Sequence, residues 1–508
     1  MITSSKDTFN EDLVAIRNGN IEVILSYLDD DRIDPNINQI FTMMYAINRN
    51  KIKLIEKMLR NKNFDPSYQN NLYIQFACKC KCTLCVELLL LDNRVDPSVN
   101  SNYCLMTCCQ YGYFEIMELL LKDLRIDVTY KNNKCLKISA KFGNSRIVKL
   151  LLDNYDFDLK GIFNPIFSAA KGGFERVIKI LLDNHNINAT ENDNLALRLA
   201  CQYGHVDAMV LLLSNTLIYS SIAQDLENIP DLITIAAKNG HLDIVEMLLK
   251  EKFVCVNMPD HELIFDPSLN DNQAIQYAAE YGHEAIINTL LEDPRVEPSA
   301  NNNMAIQLAA YNNHANCIYL LLKNNHVNPT VNFNFVFRMC VKFGEINLVK
   351  LLLLNPNVNA TDYDNNAIGL AAKHGHLNLV KFLLSDSRVD PSTNKNYALR
   401  MAAKNGHYNI FKILLKDNRI NPCDCYHNAL NLASKNGHTK IIKLLLNDTR
   451  TNPAVNHNYP IRIAAKNGHT KIVKLLLANP LVDSKDRNQS ALRWATKNGH
   501  EKIKLLLQ

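Results

Sequence analysis

The sequence predicts an all-α solenoid of about sixteen helix-turn-helix repeats, and three observations lead to this prediction. A glycine, often within Asn-Gly-His, recurs along almost the whole chain of 508 residues. Twelve of the fifteen spacings between these anchor positions are 31 residues, and the other three are 30, 36 and 42. Apolar residues on both sides of each anchor have helical spacing. A fixed period of this length is typical of repeat proteins, in which each repeat stacks on its neighbours.

The first helix of each repeat ends at the anchor, which is glycine in thirteen repeats. Ala398, Leu399, Met401 and Ala402 show the pattern, because their spacing places them on one helical face. Glycine stops the helix because it adopts positive φ without a Cβ clash. Four residues before the anchor only Ala, Cys or Ser occurs, so we expect neighbouring helices to approach closely there. The anchors are residues 19, 50, 81, 112, 143, 173, 204, 240, 282, 313, 344, 375, 406, 437, 468 and 499.

The second helix follows after a turn of one or two residues, so the two helices of a repeat are predicted to be antiparallel. Ile410, Leu414 and Leu415 share one face of such a helix. Each repeat closes with Val/Ile-Asp/Asn-Pro-Ser and an Asn-rich run. Proline cannot continue a helix, and Asn, Asp and Ser favour turns, so we expect a turn or short finger. The proline is present at Pro35, Pro66, Pro97, Pro298, Pro329, Pro391, Pro422 and Pro453.

This order of helix, Gly-His turn, helix and finger resembles the ankyrin repeat over residues 11–508, most closely in residues 358–384. The repeats are shorter than the usual 33 residues of the family. The Thr-Pro-Leu-His motif is absent, and only Pro165 and Pro460 stand at its proline. Short Asn-rich repeats of this kind are similar to ankyrin proteins of amoebal giant DNA viruses. The resemblance implies a concave surface of first helices and fingers that binds macromolecules, usually proteins.

The composition, with 47% hydrophobic and 21% charged residues, excludes wholesale disorder and collagen-like architectures. No apolar run approaches the roughly 18 residues of a membrane helix. The segment after Met1 lacks the apolar core of a secretory signal. We therefore expect a cytoplasmic protein, in the host cytoplasm if the protein is viral, with its 14 cysteines reduced.

We expect four segments along the chain. They are a short tail at 1–10, about seven repeats at 11–213, one repeat flanked by two insertions at 214–265, and about eight repeats at 266–508. The insertions lie in the most acidic stretch, 201–300, which has 4 basic and 16 acidic residues. They are interpreted as inert loops, a hinge or recognition loops. The last helix lacks one residue relative to the helix before it, so its leucines should slip in register.

Catalytic motifs are absent from the sequence. There is no phosphate-binding P-loop, no Gly-x-Ser-x-Gly elbow, no His-Glu-x-x-His and no glycine-rich dinucleotide turn. A one-dimensional stack also has no central cavity. We therefore predict a protein that is not an enzyme and that has no cofactor and no metal.

Histidine follows the anchor in nine repeats. Stacked helices lie about 8–10 Å apart, whereas zinc needs ligand nitrogens at about 2 Å, so these histidines cannot converge on one metal. We predict that they hydrogen-bond across the inter-helix turn. They are His205, His241, His283, His314, His376, His407, His438, His469 and His500.

Two further features have competing interpretations. Cys78, Cys80, Cys82 and Cys85 have a spacing that invites a zinc hypothesis. By register, however, Cys78 and Cys85 occupy core positions, as most of the other cysteines do, and only Cys80 and Cys82 stand at a turn; the reactivity of these two is left open. Trp494, the single tryptophan, is predicted to lie in the core.

Basic residues follow the first helices of the last six repeats, six and two residues before the anchor, on the side opposite the apolar face. Residues 301–508 contain 27 basic and 11 acidic residues, whereas residues 1–300 contain 29 and 40. We call the basic residues at these two positions of the first helices the first-helix basic stripe. They are Arg338, Lys342, Lys373, Arg400, Lys404, Lys435, Arg462, Lys466, Arg493 and Lys497.

The stripe gives the functional prediction. If first helices line a concave surface, the stripe binds an acidic macromolecule, and the protein is a monomeric, non-enzymatic interaction scaffold or adaptor. The alternative is direct polyanion or nucleic-acid binding by 301–508; it is the weaker hypothesis, because aromatic residues do not interleave with the basic ones as a stacking platform requires. A merely solubilising face is also possible, and the sequence does not identify the partner.

Overall fold

The computed structural model describes residues 35–157, 159, 164–224, 232–250, 253–255 and 258–508. The predicted tail at 1–10 and the predicted first repeat around Gly19 lie outside these residues. Fifteen helix pairs are described. The first helices are Pro35–Asn48, Tyr68–Lys79, Val99–Tyr111, Tyr130–Lys141, Pro165–Gly172, Glu191–Gln202, Leu232–Asn239, Leu269–Tyr281, Ala300–Tyr311, Val331–Phe343, Asp362–His374, Thr393–Asn405, Asp424–Asn436, Val455–Lys466 and Asp486–Lys497. The second helices are Ile52–Arg60, Thr83–Leu90, Phe114–Leu120, Ser145–Asn154, Glu175–Leu182, Val206–Leu213, Leu242–Lys250, Glu284–Glu292, Ala315–Leu322, Ile346–Leu352, Leu377–Leu384, Tyr408–Leu415, Thr439–Leu446, Thr470–Leu477 and Glu501–Leu507.

The two insertions contain the other elements. The first insertion forms an extra helix, Thr216–Gln224. The second contains the antiparallel strands Phe253–Cys255 and Met258–Leu263. Apart from this hairpin the described elements are helices, so the all-α fold class is confirmed. The chain divides into two compact halves, Met1–Phe265 and Asp266–Gln508.

Within the described residues, no single helix combines the length and apolarity needed to cross a membrane. One bent pair, Val206–Leu213 with Thr216–Ala223, passes on length and composition, with a bend of 78°. Most apolar side chains of this pair are buried, as Leu212 and Ile218 illustrate, whereas Val210 and Leu217 are exposed. Its composition is therefore explained by packing between repeats.

Each half is built from two layers, because first helices pack on first helices and second helices pack on second helices. The interior between the layers contains the apolar residues of both, and Ala402, Phe411 and Leu414 are fully buried. Removing such a leucine from water contributes about 1.5–3 kcal/mol. The alanine four residues before the anchor lies against the neighbouring first helix, where a larger side chain would force the helices apart.

The predicted turn or short finger is an unusual left-handed turn with which the first helices begin. Asn394, Lys395 and Asn396 all have left-handed dihedral angles, with φ of 50°, 56° and 55°. Ten other first helices begin with three such residues. L-residues avoid this region, and asparagine tolerates it best because its short amide side chain hydrogen-bonds locally. The Asn-rich composition is therefore explained by the backbone conformation of these turns.

Two features favour glycine at the anchor. Its φ is positive, for example 79° at Gly406, and the anchors Asn50, Lys81 and Asn313 also have positive φ. A Cβ atom on Gly406 would in addition lie 2.6 Å from Cε1 of His438 in the next repeat. The glycine thus provides both the turn and the space for the next histidine ring.

The last helix shows the predicted slip in register. Ile503 and Leu507 are buried, whereas Leu505 is 72% exposed. Leu505 stands where the preceding repeat has Lys474, because the helix is one residue short. The slip therefore leaves a leucine in water at the end of the stack.

Candidate functional site

The histidines connect neighbouring repeats. The Nε2 atom of His438 donates to the backbone carbonyl oxygen of Lys404 over 2.9 Å. The acceptor lies two residues before the anchor of the preceding repeat. The bond therefore joins the turns of two repeats, whereas the sequence predicts a bond across a single inter-helix turn. Because a carbonyl only accepts, Nε2 must carry the proton. The same bond is made by His205, His314, His376, His407, His469 and His500.

Buried asparagines form a second connection, at the start of the first helices. The third left-handed residue of a turn points inward, and Asn303 is 7% exposed. Its Oδ1 atom accepts the backbone N–H of Asn328, in the next repeat, over 2.7 Å. Asn71, Asn272, Asn396 and Asn458 accept the equivalent bond. Each of these asparagines therefore forms part of the left-handed turn of its own repeat and accepts a backbone hydrogen bond from the next repeat.

A third connection was missed by the sequence analysis. The loop after the second helix contains Asp-x-Arg, as in Asp417 and Arg419, whose side chains pair through two parallel bonds of 2.9 and 2.8 Å. Arg419 also donates from Nη1 to the carbonyl oxygen of Val389, in the preceding repeat, over 2.9 Å. The hydrogen bond from Arg419 lowers the pKa of Asp417. The spacing of two residues and its recurrence were visible in the sequence and are the signal that could have revealed this link.

The arginines of the first-helix basic stripe help to hold the left-handed turns. Arg400 donates from Nη2 to the carbonyl oxygen of Asn394 over 2.8 Å. Its guanidinium also lies over the ring of Tyr397, 5.7 Å from the centroid. Since each guanidinium is engaged with its own repeat, we assign these arginines a structural part. Arg338, Arg462 and Arg493 make the same backbone bond.

The lysines of the stripe are placed differently. The backbone carbonyls of five of them, Lys342 to Lys466, accept the histidine bonds, which fixes these lysines at equivalent positions of successive repeats. Their side chains make no ion pair with any residue that the structure describes. Lys342 is half-buried, and the exposed members are Lys373, Lys404, Lys435, Lys466 and Lys497. The structure therefore brings six ammonium groups into one row, separate from the engaged arginines.

Trp494 is half-buried, so the prediction that it lies in the core was wrong. The Nζ atoms of Lys466 and Lys497 lie over its indole ring, 4.4 and 5.4 Å from the centroid. An indole in contact with two cations gains cation–π energy and does not need a closed apolar pocket. Basic and aromatic residues thus do interleave at the end of the stripe, contrary to our expectation from the sequence.

The cysteines are mostly core residues, as predicted by register. Burial raises the pKa of Cys317 to about 11 and the pKa of Cys340 to about 12, so both stay protonated and weakly nucleophilic at neutral pH. Burial also raises the pKa of Cys80. The buried free thiols are Cys78, Cys104, Cys108, Cys109, Cys135, Cys201, Cys317 and Cys340.

Cys82 and Cys85 form a disulfide, which corrects the expectation that every cysteine is reduced. Cys82 caps the helix Thr83–Leu90, and Cys85 lies in its first turn. This places their Cα atoms 5.3 Å apart, within the range that a disulfide spans. Among the described residues no group of three or more His, Cys, Asp or Glu is arranged to hold a metal ion.

A comparison with protein families gives one match. The family model described as ankyrin repeats (3 copies) matches residues 90–161, 136–225, 223–302, 337–428, 368–456 and 430–508, which together span more than half of the chain. A search of curated proteins gives no match.

Proposed function

Since the chain belongs to the ankyrin-repeat family, whose repeats generally mediate protein–protein interaction, we propose that it is a non-enzymatic scaffold that binds an acidic protein partner. The proposed binding surface is the exposed side of the first helices and of their left-handed turns. In this family that side is the concave one. The observation that carries the proposal is the uninterrupted row of six lysines two residues before the anchor, Lys342 to Lys497.

The fold does not demand lysine at this position. The equivalent residues of earlier repeats include Gln110, Gln202 and Glu280, and the carbonyl of Glu280 accepts the same histidine bond. Helices spaced about 8–10 Å apart give the row a length of about 45 Å. Lysine also stands here in four earlier repeats, at Lys79, Lys141, Lys171 and Lys238. A lysine near a helix C-terminus gains a few tenths of a kcal/mol from the helix dipole, which does not explain why lysine occupies this position without interruption in the last six repeats.

Two exposed aromatic residues lie in the opening turns of first helices whose last turns carry lysines of the row. Phe333 and Tyr426 are 71% and 78% exposed, and both are the middle residue of a left-handed turn, with φ of 57° and 58°. A bulky residue with positive φ is strained, and its exposure adds a cost in water. Neither cost is required by the packing of the helices. Aromatic side chains are common anchors of protein interfaces, so this pair supports a protein partner.

We expect charge reversal in the row to abolish partner binding. The triple variant Lys404→Glu, Lys435→Glu, Lys466→Glu removes three adjacent ammonium groups without touching the turns. Affinity capture from cell extract at two salt concentrations, followed by identification of the bound proteins, measures the effect. Retention should fall at least tenfold in the variant, and in the unmodified protein it should weaken as salt rises.

The matched control is Lys412→Glu, Lys443→Glu, Lys474→Glu, which reverses three exposed lysines of the second helices in the same repeats. It should retain the partner. Equal retention by both variants and the unmodified protein would remove the row from the binding surface.

The alternative function is direct polyanion or nucleic-acid binding by the basic region 301–508. Retention on a nucleic-acid column that is lost when the salt concentration rises would favour it. We further propose a monomeric, cytoplasmic protein, organised in the four segments given above, and similar in kind to the Asn-rich ankyrin proteins of amoebal giant viruses. Sedimentation at several concentrations tests the monomeric state.

A further inference from the structure

A second set of lysines lies on the second helices of the last six repeats. One group stands six residues after the anchor, and the other stands three residues after it. All eight side chains are exposed. We call them the second-helix lysine row: Lys350, Lys381, Lys412, Lys440, Lys443, Lys471, Lys474 and Lys502.

This row is not required by the fold either. Six residues after the anchor, earlier repeats have Glu87, Glu118 and Glu246, and Glu87 and Glu118 lie on ordinary second helices of the same length and packing. Earlier repeats also have Lys149 and Lys179 here, and the second half of the chain has Asn288, Tyr319 and Leu505. Helix packing therefore does not demand lysine at this position, and its run through five consecutive repeats, Lys350 to Lys474, needs another reason.

The row carries an uncompensated charge. None of its eight side chains forms an ion pair with a described residue. Within the helices Ile346–Leu352 to Glu501–Leu507 the only acidic residue is Glu501. Neighbouring second helices, which we call the rungs of the row, are about 10 Å apart. This distance is close to the screening length of about 8 Å at physiological salt. The lysines therefore repel one another, and an anion along the row would relieve that repulsion.

The charges form a narrow strip. Lysines three residues apart on one helix are about 5–6 Å from each other, while the rungs extend over about 45 Å. The aromatic rings on this side are covered, because Lys350 lies over Phe382 and Lys440 over Tyr408. All eight cations are lysines, which act as point charges without the fixed fork that arginine uses to read base edges.

We infer that the second-helix lysine row binds the phosphate backbone of double-helical nucleic acid, without reading its sequence. A duplex presents about one negative charge per 1.7 Å along a straight axis, which matches a strip that is long and narrow. A surface that binds single-stranded nucleic acid usually has exposed aromatic rings on which bases stack. A surface that binds a membrane usually has a broad basic patch with apolar side chains at its centre. This surface lies on the other helical layer from the first-helix basic stripe, so the inference does not rest on the proposed protein partner.

The test uses the full chain and a fluorescent 20-base-pair DNA duplex, with binding followed by anisotropy between 50 and 200 mM salt. We expect binding to weaken steeply with salt, because each neutralised phosphate contributes about −0.9 to the slope of log K against log salt. The variant Lys412→Glu, Lys443→Glu, Lys474→Glu should lose at least about 100-fold in affinity at 150 mM salt, and the slope should fall by about 3. A duplex RNA of the same length should behave similarly.

The matched variant Lys404→Glu, Lys435→Glu, Lys466→Glu should change duplex affinity less than about fivefold, because these lysines are on the other helical layer and salt screens charges that do not contact the duplex. Circular dichroism and thermal unfolding check that both variants fold. If the glutamate variant does not fold, the glutamine variant of the same three lysines replaces it.

Three outcomes would overturn the inference. The first is no duplex binding at 50 mM salt. The second is an equal loss in both triple variants. The third is tighter, lysine-dependent binding to vesicles containing phosphatidylserine, or to polyglutamate, than to the duplex. Failure of the partner-capture experiment would leave the duplex result unaffected, so the two proposals can fail separately.

Discussion

At the scale of single residues, this fold is specified by backbone conformation as much as by hydrophobicity. Asparagine recurs where three successive residues take left-handed dihedral angles, and glycine recurs where a turn also leaves room for the histidine ring of the next repeat. The role of Gly406 as a helix stop could be predicted from its place after an apolar pattern. The contact between Gly406 and His438 could not, because it joins residues from two repeats whose relative position no local pattern determines.

A double-mutant cycle on Gly406 and His438 measures that contact. We expect Gly406→Ala to lower the local free energy of unfolding by about 2–4 kcal/mol, since positive φ costs an alanine about 1–2 kcal/mol and its Cβ displaces the ring. In the His438→Ala background the same change should cost only about 1–2 kcal/mol. Hydrogen exchange of residues 398–415 provides the measurement, and an equal cost in both backgrounds would show that the ring contact contributes nothing.

The sequence does not distinguish residues that support the fold from residues that are available for binding when both types share a helical face. Arg400 and Lys404 both belong to the predicted stripe, yet the structure engages the arginine with its own turn and leaves the lysine in water. Four residues of spacing place both on one helical face, but only the position of the Asn394 carbonyl separates their roles. Trp494 was assigned to the core from the apolar residues at its register position, and the two lysines that contact its ring come from different repeats.

At the scale of elements, three recurring kinds of hydrogen bond join neighbouring repeats, although not every described junction has all three. They join the helix–helix turns through histidine, the starts of the first helices through asparagine, and the loops after the second helices through arginine. Helix existence and pairing followed from the period of 31 residues and the apolar spacing. The left-handed turns did not, since Pro and Asn indicate a turn without stating its dihedral angles.

The Asp-Arg pairs give the loops a dependence on pH. Each arginine hydrogen bond lowers the pKa of its aspartate, so the pairs contribute stability above about pH 4, and this contribution is lost as the pH falls through the lowered pKa. We expect Arg419→Gln to cost about 1 kcal/mol at pH 7, because the pair is partly exposed. The cost should become smaller below about pH 4.

Thermal unfolding at pH 7, 5, 4 and 3 tests this link. A difference that no longer changes with falling pH reports the bond from Arg419 to the Val389 carbonyl, which does not titrate. Asp417→Asn serves as the control, because it removes the titrating carboxyl and should flatten the pH dependence of this loop. A cost for Arg419→Gln that grows as the pH falls would contradict the assignment.

At the scale of the whole molecule, charge is distributed unevenly along the chain, with the positive excess in its last part. Residues 301–508 have 27 basic and 11 acidic residues, and both helical layers of their last six repeats carry exposed lysines. The charge excess of this region was evident from the sequence. Its division into arginines that hydrogen-bond their own turns and two rows of lysines without ion pairs to described residues required the structure. The number of residues between two cations does not show which carbonyl or ring lies near each one.

We expect added salt to stabilise the last six repeats. Raising the salt concentration from 0.05 to 0.5 M shortens the screening length and weakens repulsion between rungs, which should raise their unfolding temperature by about 2–4 °C for each kcal/mol recovered. Calorimetry measures the shift. The variant Lys412→Glu, Lys443→Glu, Lys474→Glu alternates the charges and should respond less, and an unchanged response would show that the row is not under electrostatic strain.

The three connections have a consequence for how such a chain can change in length. Each reaches a fixed distance along the sequence, 34 residues for histidine, 25 for asparagine and 30 for arginine, and none extends past the adjacent repeat. A duplicated or deleted cassette of 31 residues would therefore find every donor and acceptor it needs at the new junction. Genes for proteins built this way can grow or shrink by whole cassettes. The exposed side chains of each cassette can then diverge without affecting the connections between repeats.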